Sequence, residues 1–141
     1  MDWIEIAIND RFAGQNDFAA LSVKSGILLR MGKEDEAIST IEKAVALPDA
    51  RVGQIHQYGR QLITAGKPDA ALRVFKMNAE RFPETWPVNV GLARGYSAVG
   101  EYQKALKYAK LAQKNVPEGD QLNKGSVEDM IAKLGRNEDI N

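Results

Sequence analysis

Cysteine is absent from the sequence, and histidine occurs once, as His56. Without cysteine the chain cannot form a disulfide framework or a thiolate metal site, and a single histidine excludes a histidine-rich metal site or a cysteine–histidine nucleophile pair. We therefore expect no metal site, no cofactor and no catalytic residue. The lack of cysteine does not indicate whether the compartment is oxidising or reducing, because a chain without thiols tolerates both.

An excess of charge of one sign is also missing. Lys and Arg total 19 and Asp and Glu total 19, so the formal net charge is zero. Nucleic-acid-binding proteins usually carry a basic surplus, so we expect no nucleic-acid partner. No apolar run approaches the roughly 18 residues of a membrane span. The N-terminal stretch carries Asp2 and Glu5 and no basic leader, which argues against a signal peptide. We expect no membrane contact, and a cytoplasmic location by default.

The alternating runs typical of strands are scarce, and one short phrase occurs three times. GKEDEAI begins at Gly32, GKPDAAL at Gly66 and GEYQKAL at Gly100, so the copies are 34 residues apart. Each glycine separates two segments with helical apolar spacing. Because glycine adopts the left-handed conformation that ends a helix without a Cβ clash, the phrase predicts three helix–turn–helix hairpins.

Apolar stripes and flanking residues set the bounds of the predicted helices. Asp17 and Thr85 are expected to cap helices, and Pro68 and Pro87 fall in first turns, where proline is tolerated. The expected helices cover about Phe18–Met31, Glu34–Leu47, Ala50–Ala65, Asp69–Phe82, Trp86–Val99 and Tyr102–Val116.

The 34-residue unit resembles the tetratricopeptide repeat (TPR), a helix hairpin with an Ala-x3-Phe step in its second helix and a proline after it. Ala71, Phe75 and Pro83 match that pattern. Small residues recur where paired helices approach each other, at Ser25, Gly59, Ala93 and at Ala37, Ala71, Ala105. The resemblance implies an all-α fold: a single TPR domain forming a right-handed α-solenoid, with repeats over 18–51, 52–85 and 86–119.

Both ends of such a stack need a cover, because a terminal repeat exposes its apolar face. Residues 120–141 are expected to supply a capping helix from about Ser126 to Leu134, followed by a frayed tail. Residues 1–17 are expected to form a helix and loop that resemble half a hairpin. That helix would present Trp3, Ile4 and Ile8 as an interface. The partner at this interface would be a second copy of the chain, giving a homodimer, or the rest of a longer protein.

A second resemblance is carried by TWPVNVGLARGYSAVG and the residues around it, from His56 to Ala109. This stretch looks like the C-terminal TPR region of an uncharacterised bacterial family, in which a β-rich domain of unknown function precedes the repeats. It implies an alternative role as a structural tail that supports an attached or partner β-rich domain. This chain lacks that domain, so no catalytic residue is carried over.

The first helices of the hairpins should line a concave groove. Groove-facing positions recur with the repeat: Gly53, His56, Arg60 and Ile63 correspond to Pro87, Val90, Arg94 and Ser97, and to Ala19, Ser22, Gly26 and Leu29. Arg60 and Arg94 thus fall in register, with His56 one turn before Arg60 and Asn89 nearby. Paired guanidiniums suit a carboxylate or another anion. The competing interpretation is that both arginines are solvated or paired with acidic residues.

The leading functional prediction is a non-catalytic protein–protein interaction scaffold that binds a peptide or partner surface, of acidic character, in this groove. The predicted site comprises His56, Arg60, Asn89, Arg94 and Ser97. The alternatives are the structural tail and a homo-oligomerisation module.

Overall fold

The computed structural model describes residues 17–141, which contain seven α-helices and no β-strand. The helices are α1 (Phe18–Arg30), α2 (Glu34–Val45), α3 (Val52–Thr64), α4 (Pro68–Arg81), α5 (Trp86–Ala98), α6 (Tyr102–Asn115) and α7 (Gln121–Gly135). The predicted all-α fold is confirmed for this part of the chain, and the ends of α1 to α6 fall within about two residues of the predicted ones. Trp3, Ile4 and Ile8, predicted as an interface, lie outside the described residues.

The chain divides into two compact units, one that ends at Arg51 and one that covers Val52–Asn141. The first contains α1 and α2, and the second contains α3 to α7. The division falls where the predicted first repeat ends. Among residues 17–141, no helix combines the length and the apolar character needed to cross a membrane.

The predicted glycine turns are present, with positive φ angles of 78°, 76° and 83° at Gly32, Gly66 and Gly100. In the first turn, the Gly32 N–H donates to the Leu29 carbonyl at 3.0 Å and the Lys33 N–H donates to the Leu28 carbonyl at 2.9 Å. The other two turns repeat this pair of hydrogen bonds. The arrangement is the Schellman motif, which pairs carbonyls that a helix end leaves unsatisfied.

In the first unit, α1 and α2 pack as a hairpin held at both ends. Asp17 caps α1 as predicted, because its Oδ1 accepts a 2.8 Å hydrogen bond from the Ala20 N–H. The Phe18 N–H donates to Asp49 Oδ2 at 3.0 Å, which joins the start of α1 to the segment after α2. At the other end, the fully buried Ser25 hydroxyl donates to the Ala37 carbonyl at 2.6 Å.

In the second unit, the fully buried Phe75 ring of α4 packs against glycines on two other helices. A Cβ added to Gly59 of α3 would lie 2.5 Å from the ring, and one added to Gly91 of α5 would lie 2.6 Å from it. Real Cβ contacts are longer than this, so only glycine allows the ring to lie this close to both backbones. Asn78 also joins α4 to α3, since its Nδ2 donates to the Val52 carbonyl at 3.1 Å.

The last helix covers the third hairpin, as expected, but begins earlier than predicted. It starts at Gln121 rather than near Ser126, because Asp120 caps it by accepting a 3.2 Å hydrogen bond from the Asn123 N–H. Its Val127 and Met130 pack in one apolar cluster and its Leu134 in another. From α5 and α6, the first cluster contains Val90 and Ala112. The second cluster contains Ala93, Ala105 and Ala109 from the same two helices.

Two other local predictions are wrong. Thr85 lies at the N-cap position of α5, but its hydroxyl donates to the Phe82 carbonyl at 3.4 Å and accepts nothing from the helix. The tail after α7 is not frayed. Ile140 packs against both apolar clusters, and the buried Ser97 hydroxyl donates to Asp139 Oδ1 at 2.6 Å. A buried hydroxyl needs a hydrogen-bond partner, and the tail supplies it.

Candidate functional site

A cavity of about 400 Å³ lies between α3, α5 and α7 within the second unit. Each helix contributes side chains that are three or four residues apart, as expected for helix faces turned toward a shared space. The lining residues are Gly53, His56 and Arg60 from α3, Trp86, Pro87, Val90 and Arg94 from α5, and Asn123, Ser126, Val127 and Met130 from α7.

The structure brings three of the five predicted site residues together, namely His56, Arg60 and Arg94. Arg60 is exposed, whereas His56 and Arg94 are half-buried. Asn89 is buried, 8% exposed, and does not line the cavity. Ser97 is 1% exposed, and its hydroxyl is used by the tail, accepting from the Ile140 N–H at 3.0 Å as well as donating to Asp139.

The imidazole of His56 lies between the aromatic core and the two arginines. Its ring is tilted by 55° against the Phe75 ring, with centroids 5.5 Å apart. A Cβ added to Gly91 would lie 3.3 Å from His56 Nδ1, an atom that is buried and has no hydrogen-bond partner among residues 17–141. Burial, then the charges of Arg94 and Arg60, lower the pKa of His56 from 6.5 to about 4. The imidazole is therefore neutral at neutral pH.

Arg94 carries a charge that the rest of the described chain does not neutralise. Its Nε is buried without a hydrogen-bond partner in residues 17–141. Burial and then the neighbouring charge of Arg60 lower the pKa of the Arg94 guanidinium. No Asp or Glu lines the cavity, and neither arginine has an ion-pair partner within the described part of the chain. The competing interpretation named two cases, and pairing of the arginines with acidic residues does not occur among residues 17–141, whereas solvation fits the exposed Arg60.

Sequence reasoning missed one wall of the cavity. Asn123, Ser126, Val127 and Met130 of α7 close the space beside the arginines, although α7 was predicted only as a cover for the last repeat. The spacing of Val127 and Met130 identifies an apolar helix face but not what that face adjoins. Trp86 contacts the cluster around Val90 and also lines the cavity.

The lining of the cavity combines two cationic side chains, one imidazole and several apolar side chains. Two guanidiniums supply fixed forks of N–H donors, and a neutral imidazole adds no charge of its own. Among residues 17–141, no group of histidine, aspartate or glutamate side chains is arranged to hold a metal ion. No protein-family model matches the sequence, and no curated protein or solved structure is detectably similar to it.

Proposed function

We propose that this protein is a non-catalytic interaction module that binds an acidic segment of a partner protein in the cavity between α3, α5 and α7. The observation that carries the proposal is the presence of Arg60 and Arg94 in one cavity that has no acidic lining residue. Arg94 is half-buried and has no counter-ion among residues 17–141, which is unfavourable, and an anionic ligand would relieve that cost. The exposed Arg60 adds a second set of N–H donors beside it.

The proposed architecture behind this site is a right-handed α-solenoid of TPR-like hairpins. It is supported by the 34-residue period of the sequence and by three Schellman turns with the same hydrogen bonds. The buried alanines Ala37, Ala71 and Ala105 recur at the same period. A repeat of this kind brings equivalent positions of successive first helices side by side, which explains why Arg60 and Arg94 meet.

The absence of reactive groups in the sequence supports a binding role over a catalytic one. The chain has no cysteine, and its single histidine is held neutral beside two cations rather than beside a nucleophile and an acidic residue. The apolar lining formed by the half-buried Trp86 and the buried Val90 and Met130 suits a ligand that is bound and released without chemical change.

Fluorescence anisotropy with labelled acidic peptides tests this proposal. A panel of peptides that place Glu or Asp beside apolar residues is compared with the same peptides carrying Gln or Asn instead. We expect acidic peptides to bind and their amide counterparts to bind at least about tenfold more weakly, because hydrogen bonds to charged groups contribute about 1.5–3 kcal/mol.

Variants locate the binding to the cavity. The double variant Arg60→Met/Arg94→Met keeps the apolar stems and removes both charges, so we expect it to lose acidic-peptide binding with little change in melting temperature. Arg73→Met, which removes an exposed arginine of α4 outside the cavity, is the matched control. Equal affinity of the double variant and the unaltered protein would contradict the proposal.

A further inference from the structure

We infer that the anionic group this cavity accepts is a phosphomonoester on an apolar stem, presented as a phosphorylated tyrosine side chain of the partner. The inference rests on the proposed function and narrows its ligand from acidic segments in general to one chemical class. It follows from the charge, the hydrogen-bond donors and the apolar lining of the cavity.

The positive charge of the cavity favours a ligand that carries more than one negative charge. Arg60 and Arg94 each carry a full positive charge, and none of the lining residues is acidic. The two arginines are close enough that Arg60 lowers the pKa of the Arg94 guanidinium. A carboxylate neutralises one of these charges, whereas a phosphomonoester carries about −1.5 to −2 at neutral pH and neutralises both.

The donors of the cavity also exceed what a carboxylate can accept. The two guanidiniums present up to ten N–H groups in two rigid forks. Arg94 Nε is buried and has no partner within residues 17–141. A phosphoryl group presents three terminal oxygens, so it can accept from both forks at once, whereas a carboxylate presents two.

The apolar lining of the cavity selects the stem that carries the phosphoryl group. It is supplied by Trp86, Val90, Val127 and Met130, of which Trp86 is half-buried and the others are buried. The volume of about 400 Å³ lies at the lower end of the range for small-molecule sites, so it encloses one aromatic side chain of a bound segment. An inorganic phosphate ion would leave the exposed part of Trp86 in contact with water. A phenyl ring bearing the phosphoryl group covers it.

Isothermal titration calorimetry on the full chain with four small probes tests the inference at neutral pH. Phenyl phosphate is compared with phenyl sulfate, which keeps the tetrahedral shape with a single charge, with phenylacetate and with inorganic phosphate. We expect phenyl phosphate to bind at least about tenfold more tightly than each of the others. Equal affinity for phenyl sulfate would contradict the requirement for a second negative charge. Equal affinity for inorganic phosphate would contradict the requirement for an apolar stem.

The source of the group is tested with a short phosphotyrosine peptide and its unphosphorylated form. We expect the phosphopeptide to bind at least as tightly as phenyl phosphate and the unphosphorylated peptide not to bind. If free phenyl phosphate binds and the phosphopeptide does not, the ligand is a small molecule and the assignment to a partner side chain is wrong.

The position of the ligand is read from His56, the single histidine of the chain. Its imidazole NMR signals should shift on binding of phenyl phosphate, and Arg60→Met, which changes an exposed side chain, should weaken binding about tenfold or more while Arg73→Met should not. Unchanged His56 signals at saturation would place the ligand elsewhere. If Glu-containing peptides bind this cavity and phosphoryl ligands bind no better, the inference fails while the proposed function stands; if neither binds, both fail.

Discussion

Gly59 and Phe75 lie so close that a Cβ on Gly59 would come within 2.5 Å of the Phe75 ring. This contact sets the approach of α3 to α4. The same ring contacts Gly91 of α5 and lies beside His56, so it also supports the His56 side chain that lines the cavity. The packing of one aromatic residue against two glycines therefore connects the core of the second unit to its cavity.

The first prediction concerns Gly59→Ala. The added methyl group must displace the buried Phe75 ring, so we expect the free energy of unfolding to fall by about 1–3 kcal/mol, as overpacking of a core usually costs. Urea unfolding measures this change. Gly53→Ala on the same helix is the matched control, because nothing lies within 4 Å of its added Cβ. Gly53→Ala should be neutral or stabilise by up to about 1 kcal/mol, and equal effects of the two substitutions would contradict the packing argument.

The second prediction concerns the tail. Ser97→Ala removes the hydroxyl that donates to Asp139 and accepts from the Ile140 N–H, so we expect a loss of about 1–3 kcal/mol in the free energy of unfolding. Hydrogen exchange should show the Ile140 amide losing protection in this variant. Ser22→Ala, which removes an exposed hydroxyl, should change stability by less than about 0.5 kcal/mol. An Ile140 amide that exchanges equally fast in the unaltered protein and in Ser97→Ala would show that the tail is not held by Ser97.

The third prediction concerns acid. In the folded protein burial and the charges of Arg94 and Arg60 hold the pKa of His56 at about 4, whereas on unfolding the pKa returns to 6.5. Between these values the unfolded chain binds more protons, so the stability linked to His56 is full above pH 6.5 and is lost as the pH falls toward about 4. The loss should be on the order of 1–3 kcal/mol.

Urea unfolding of the unaltered protein and of His56→Gln at pH 7.5, 5.5 and 4.5 isolates this contribution, because the other titrating groups are common to both. Between pH 7.5 and pH 4.5, the free energy of unfolding should fall further in the unaltered protein than in His56→Gln. Parallel pH profiles would mean that His56 titrates normally in the fold.

The fourth prediction concerns the coupling between His56 and Arg94. Arg94→Met removes the neighbouring charge and keeps much of the stem, so the pKa of His56 should rise above about 4. It should not reach 6.5, because burial is the larger cause of the shift. An NMR titration of the single histidine measures the pKa directly. Arg73→Met should leave it unchanged, and a similar rise in both variants would contradict a specific effect of Arg94.

The sequence was enough to predict the helices, because each hairpin is specified by local chemistry. The left-handed turns at Gly32, Gly66 and Gly100 require glycine, and the apolar stripes require a helix that buries one face. Equal spacing of equivalent positions also placed His56, Arg60 and Arg94 on one surface. The start of α7 was predicted wrongly, near Ser126, because the sequence pattern does not show that Asp120 is the residue that caps the folded helix.

The tertiary structure alone decided what surrounds those residues. Side chains distant in sequence meet only after the chain has folded, so no local pattern shows that Val127 and Met130 of α7 line the same cavity as Arg60 and Arg94. The same holds for Ser97, whose partner Asp139 is 42 residues away. The repeat therefore determines which residues share a helix face. Long-range packing determines which of them remain open to a ligand and how far burial shifts their charge.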